Sequence, residues 1–267
     1  MIPRWWAAHC PEMISIMRDK LLRVLRGLAV AVFWLGVWSG GFYLANRTLL
    51  LPLPYPWDVA TVLWELMGES DFWTAVGMSL LRVAVGFMVA LVAGVALAML
   101  TTRFAMVHTL FAPILSVIKA TPVASFILLA FLWIGAPKMP TFIAFLMVIP
   151  LVWENVRQGI VNTDKKLLEM AKVFNLSYRQ RLWHIRFPAV KPYLQAAVTT
   201  GFGFAWKSGV AAEILCRTKD SIGDHIAAEQ QVFEIAHVLA WTVVIVVLSV
   251  VLERLLRRLM TRREVEA

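Results

Sequence analysis

The sequence has two cysteines, Cys10 and Cys216, too few for a disulfide framework, and the topology derived below puts them on opposite sides of a bilayer, so no disulfide is expected. Charge is scarce as well: Asp, Glu, Lys and Arg make up 16% of the 267 residues, against 60% hydrophobic and a mean hydropathy of +0.72. Those proportions exclude an ordinary soluble domain. The five histidines, His9, His108, His184, His225 and His237, are scattered and show no metal-ligand spacing. Two near-motifs each lack a glycine. Gly77-Met78-Ser79-Leu80-Leu81 has none where a nucleophile elbow ends. Gly201-Phe202-Gly203-Phe204-Ala205-Trp206-Lys207-Ser208 approaches a phosphate-binding loop, but Trp206 stands at the second glycine position, where an indole blocks close approach of backbone to phosphate. With no catalytic constellation, the chain is not expected to be an enzyme or to bind ATP, a metal or another cofactor.

What the sequence does have is apolar length. Residues 28–45, 83–100 and 235–252 are each roughly 18 residues long and almost free of charge, enough to cross a bilayer. Residues 110–134, with Lys119 and Pro122, 140–153, and 193–214, with Lys207, are weaker alone and bring the count to six. The first run follows a basic stretch, as in a signal peptide, but it is too long and too far in, and it reads as an uncleaved first span. With both termini in the cytoplasm, nineteen of the 26 Lys and Arg residues lie on the inner side, four on the outer and three within spans, as cytoplasmic loops collect basic residues. The net charge of +9 therefore reflects topology, and no nucleic-acid partner is expected. The division expected is a cytoplasmic segment 1–27, a six-span domain 28–255 and a cytoplasmic tail 256–267, with no linker between them. The tail arginines Arg254, Arg257, Arg258, Arg262 and Arg263 serve either as a topological anchor or as contacts to anionic headgroups.

Outside the membrane, Val59, Val62, Leu63, Leu66 and Met67 have the spacing of one helical face, and Trp57, Trp64 and Trp73 suit an interfacial belt. A short helix is predicted there, either on the outer surface or in the packed core. Ionisable residues at membrane depth must face protein or water. Lys119, Lys207 and Glu213, with Arg82 near an edge, either border a polar path in which the lysines draw anions, or are neutralised by pairing and snorkelling. Lys207 and Glu213 are six residues apart, on different helix faces, and so need separate partners. Pro122, Pro137, Pro140 and Pro150 interrupt spans three and four, either beside a cavity or for packing alone. Trp206 is a candidate hydrophobic gate beside that path, or plain core.

The longest polar interruption, 164–188, falls on the cytoplasmic side. Residues 165–173 read as a short helix ended by Asn175, a residue that tolerates the left-handed conformation. Ser177 followed by Gln180 is a capping-box pattern, so a second helix is predicted from Ser177 to about Arg186, where Pro188 stops it.

Within this stretch, Glu169-Met170-Ala171, then Asn175, then Ile185-Arg186-Phe187-Pro188 resembles the EAA motif of permease subunits of binding-protein-dependent ABC importers, E-A-A-x3-G followed by I-x-L-P. Met170, Asn175 and Phe187 depart mildly from it. Ser79-Leu80-Leu81-Arg82-Val83 with Gly86-Phe87, and Ala211-Ala212-Glu213, look like the nitrate/sulfonate/taurine branch, with a looser match at Leu51-Pro52-Leu53-Pro54. The resemblance spans about residues 25–255. It implies an all-α membrane protein of the type I ABC importer permease fold, with six spans and a cytoplasmic coupling-helix pair, in the bacterial inner membrane. It implies docking on an ATPase through Leu168, Glu169, Met170, Ala171, Asn175, Leu176, Ser177, Ile185 and Pro188. It also implies a second permease copy, two cytoplasmic ATPases that use ATP and Mg, and an external substrate-binding protein. The expected solute is a small anion such as a sulfonate or nitrate. Vitamin precursors and aromatic solutes remain alternatives, as does an ion-coupled secondary transporter.

Overall fold

A computed structural model of the chain describes residues 4–46 and 53–265. The expectations placed on Arg47, Leu51 and Pro52 lie outside these residues, as do the side chains of Cys10 and of the arginines at 18, 23, 262 and 263. The described residues form eleven α-helices and no strand, in two compact units, Met1–Val62 and Leu63–Ala267.

In the first unit, α1 (Arg4–Ala45) is one helix, so the basic segment runs without a break into the first apolar run, and Leu25–Ala45 is long and apolar enough to span. Asn46 is bonded to Leu53: its Nδ2 donates to the Leu53 carbonyl at 3.1 Å and its Oδ1 accepts the Leu53 N–H at 2.6 Å. Pro56 opens α2 (Pro56–Met67), which begins in the first unit and ends in the second; the missing N–H of Pro56 would have had no helical partner. This is the short helix that the apolar spacing predicts.

The second unit continues with α3 (Ser70–Arg103), α4 (Ala105–Ala120), α5 (Val123–Ile134), a 3-10 turn (Ala136–Lys138) and α6 (Met139–Val161). After these come α7 (Lys165–Val173), α8 (Tyr178–Arg181), a π turn (Leu182–Arg186), α9 (Phe187–Cys216), α10 (Ile222–Gln231) and α11 (Ile235–Val265). Its core is α6 packed against both α3 and α9, with Val83, Ala90, Val148, Val152, Ala197 and Ala205 buried. Small residues bring these helices close. A Cβ on Gly94 would stand 2.8 Å from that of Val152, so α3 tolerates no side chain there.

Three expectations change. Residues 110–134 are not one straight span: α4 and α5 meet at 109°, because Pro122 lacks an N–H and holds Thr121 extended at φ −84°, ψ 134°. Pro188 does not end a helix at Arg186. It sits in the first turn of α9, and the preceding π turn, closed by the Phe187 N–H on the Leu182 carbonyl, lets the chain run on into the core helix. Finally, length and apolarity alone pass four helices, or five counting the bent pair. The remaining expected span, the fifth in chain order, is α9, whose 30 residues reach about 45 Å but whose Gln195, Lys207 and Glu213 lower its hydropathy.

Candidate functional site

Two groups of residues singled out in the sequence sit at opposite ends of α9. At its N-terminal end is the cationic helix pair. Asp164 caps α7 by accepting the Lys166 N–H at 2.8 Å. The helix closes in a Schellman turn: Asn175 takes φ 49°, its N–H donates to the Lys172 carbonyl at 3.0 Å, and the Leu176 N–H donates to the Ala171 carbonyl at 2.9 Å. Two residues on, the capping box forms as predicted. The Ser177 N–H donates to Gln180 Oε1 at 2.8 Å, and the Gln180 N–H donates to Ser177 Oγ at 3.3 Å. Ala171 and Ile185 are buried and anchor the pair, Leu168 and Leu176 are half-buried, and Glu169, Met170, Ser177 and Pro188 are exposed. Val173, Phe174 and Tyr178 are exposed too, among Lys165, Lys166, Lys172 and Arg179. The loop thus shows an apolar surface rimmed by positive charge.

At the C-terminal end of α9, Glu213 is fully buried. Ser79 Oγ on α3 donates to its Oε2 at 2.8 Å, and the Gly223 N–H on α10 donates to the same oxygen at 3.3 Å. Ser79 Oγ in turn accepts the Ile222 N–H at 3.0 Å. Three helices therefore meet at one carboxylate. Gly223 is obligatory, since a Cβ there would overlap the Cβ of Glu213. One turn along α3, Arg82 donates to the carbonyls of Asp220 at 3.2 Å and Lys219 at 3.0 Å, and its own carbonyl accepts from Thr141 Oγ1 of α6 at 3.0 Å. No helix was expected at α10, although Ser221 and Asp224 are its signal: Ser221 Oγ accepts the Asp224 N–H at 3.1 Å, capping the helix.

The residues expected beside a path separate into three environments. Lys119 is ion-paired with Glu154 of α6, a partner the sequence reading did not consider. Trp206 and Glu213 are enclosed by their own helices rather than facing open space: Trp206 is fully buried and donates its indole N–H to the Ile245 carbonyl at 3.1 Å. Lys207 is exposed, as is Pro122 at the α4–α5 bend, and Lys207 has neither an ion pair nor a hydrogen bond among the described residues. The described residues hold no cluster of three potential metal ligands.

The chain is similar to known proteins over most of its length. The family model for the binding-protein-dependent transport system inner membrane component matches residues 90–265. A probable ABC transporter permease of Brucella melitensis is 25% identical over 234 residues, covering 87% of this chain and 95% of the relative. A nitrate import permease of Synechocystis is 28% identical over 203 residues, 75% of this chain and 74% of its own. The taurine transport system permease of Escherichia coli is 24% identical over 226 residues, 82% of each. Among solved structures, a bacterial ABC transporter that imports the acidic polysaccharide alginate superposes with a TM-score of 0.61, at 16% identity, over 94% of this chain and 99% of that one. At that identity the likeness concerns the fold.

Proposed function

Because the chain belongs to the family of inner-membrane components of binding-protein-dependent transport systems, and so is a multi-pass permease subunit of an ABC importer, we propose that it carries a small oxyanion, such as nitrate or a sulfonate, inward by alternating access. The names of the nitrate and taurine relatives support that solute class. In the working importer two copies of this chain form the path, two cytoplasmic ATPases bind and hydrolyse ATP with Mg, and an external binding protein delivers the solute. The permease itself hydrolyses nothing. The α7–α8 pair is on the cytoplasmic side with both termini, and its exposed Val173, Phe174 and Met170 enter a cleft of the ATPase while the surrounding lysines and arginines meet acidic groups there. Leu168, Glu169, Ala171, Asn175, Leu176, Ser177, Ile185 and Pro188 shape or hold that contact.

The observation that carries the reading is mechanical. The capped pair passes through the π turn straight into α9, with no loop to absorb a push. Closure of the ATPases shifts α7 and α8, and α9 conveys the shift over about 40 Å to the Glu213 node, where α3 and α10 are tied to it. The path runs beside Arg82, Lys119, Pro122 and Lys207. Reconstitution in proteoliposomes with the ATPase and the binding protein tests this: nitrate or taurine uptake should require ATP. Uptake that persists without ATPase and follows an ion gradient would instead support a secondary transporter.

A further inference from the structure

Along α9, Ala196, Thr200, Phe204 and Lys207 are exposed at successive turns, whereas Ala197, Val198, Gly201, Phe202, Ala205, Trp206, Ser208 and Gly209 between them are buried. The exposed positions form one stripe on a helix whose other sides are packed. Lys207 lies nine residues, about 14 Å, from the Cys216 end of the helix. A cation at such depth is not left facing lipid, because its charge goes unsolvated there. Three other cations in the long helices of this unit have partners that hold them. Lys119 has Glu154, Arg82 has two carbonyls, and Arg157 lies 5.9 Å over the Trp153 ring. Lys207 has no such partner among the described residues.

We propose that the stripe of Ala196, Thr200, Phe204 and Lys207 faces the aqueous translocation path, and that the Lys207 ammonium is the charge that selects an anionic solute there. Lys119, already neutralised by Glu154, contributes no such selection. The inference rests on the permease reading of α9 and deepens it by assigning specificity to one of the two lysines. An unpaired ammonium in a narrow, low-dielectric passage raises the local concentration of anions and lowers that of cations. Thr200 and Phe204, within two turns of it, supply one hydroxyl and one apolar wall for the rest of a small solute.

The test needs no knowledge of the solute. In the full complex with its ATPase and binding protein, Cys10 and Cys216 are replaced by serine and Phe204→Cys serves as reporter. Its reaction rates with an anionic sulfonate-bearing thiosulfonate and a cationic trimethylammonium thiosulfonate are measured during ATP turnover, relative to free cysteine. The expected result is a preference for the anionic reagent of about tenfold. That preference should vanish in Lys207→Met, survive in Lys207→Arg and be unchanged in the double variant Lys119→Met/Glu154→Gln, which removes the neutral pair without changing the local net charge. Thr200→Cys is the second reporter, should Phe204→Cys assemble poorly. A stripe that reacts with neither reagent, or a preference indifferent to Lys207→Met, would overturn the proposal. Because the reagents are not the solute, a Lys207-dependent preference stands even where nitrate and taurine are not carried, and that second failure would overturn only the substrate reading.

Discussion

The two ends of α9 are built on opposite principles. The α7–α8 pair is held by bonds between residues two to five apart, from Asp164 to Gln180, and leaves most of its side chains exposed. The Glu213 node is held by bonds between residues up to 143 apart and is closed to solvent. A loop that must fit another protein gains from a shape set by its own backbone, which survives docking and release. A junction that must keep three helices in step needs partners from all three, and burial makes each lost partner expensive. Damage at the node should therefore appear as lost stability, and damage at the loop as lost coupling in a folded protein.

The strongest attempt to break this contrast is Glu213→Ala. It strips Ser79 and the Gly223 N–H of their acceptor, and a loss of about 3 kcal/mol is expected, read as a lower Tm in detergent with uptake falling in parallel. Glu213→Gln keeps an acceptor oxygen and should lose less. At the loop, Asn175→Val places a branched side chain at φ 49° and should cost about 1–2 kcal/mol locally, seen as ATPase activity no longer stimulated by the loaded binding protein while Tm of the whole permease barely moves. Asn175→Gly should restore stimulation. Ser177→Ala removes half of the capping box, about 1 kcal/mol, and should weaken the same stimulation in part. The smallest effect is expected from Lys119→Met. Its pair with Glu154 is partly exposed, so stability should change by less than about 1 kcal/mol, measurable by thermal unfolding.

How far each end could be read from the sequence follows from the same difference. Asn175, Ser177 and Gln180 announce their turns because their partners are within a few residues. Ser79 stands out in the sequence only within motif fragments, and Glu213 as a buried charge in need of a partner, since nothing local says that residues 134 apart share a proton donor and acceptor. Of the six apolar runs expected, four lie in helices long and apolar enough to span and a fifth in the bent α4–α5 pair, while the run at 193–214 lies in α9, a 30-residue helix whose polar residues lower its hydropathy. Proline was legible as a break but not in its outcome. Pro122 turns the chain by 109°, whereas Pro188, relieved by a π turn, lets the helix continue. Glu154 went unread as the partner of Lys119 because a carboxylate one turn beyond Pro150 gives no local hint of facing another helix.

If force enters at the α7–α8 pair and leaves through α9, Glu169 is the residue to change, being exposed and outside the hydrogen bonds that shape the loop. In proteoliposomes containing the ATPase and binding protein, solute taken up per ATP hydrolysed is measured for Glu169→Arg and for the unaltered permease. The ratio is expected to fall at least about tenfold in Glu169→Arg, the loss of roughly 1.4 kcal/mol of coupling, with Tm unchanged. An unchanged ratio of uptake to hydrolysis would contradict it.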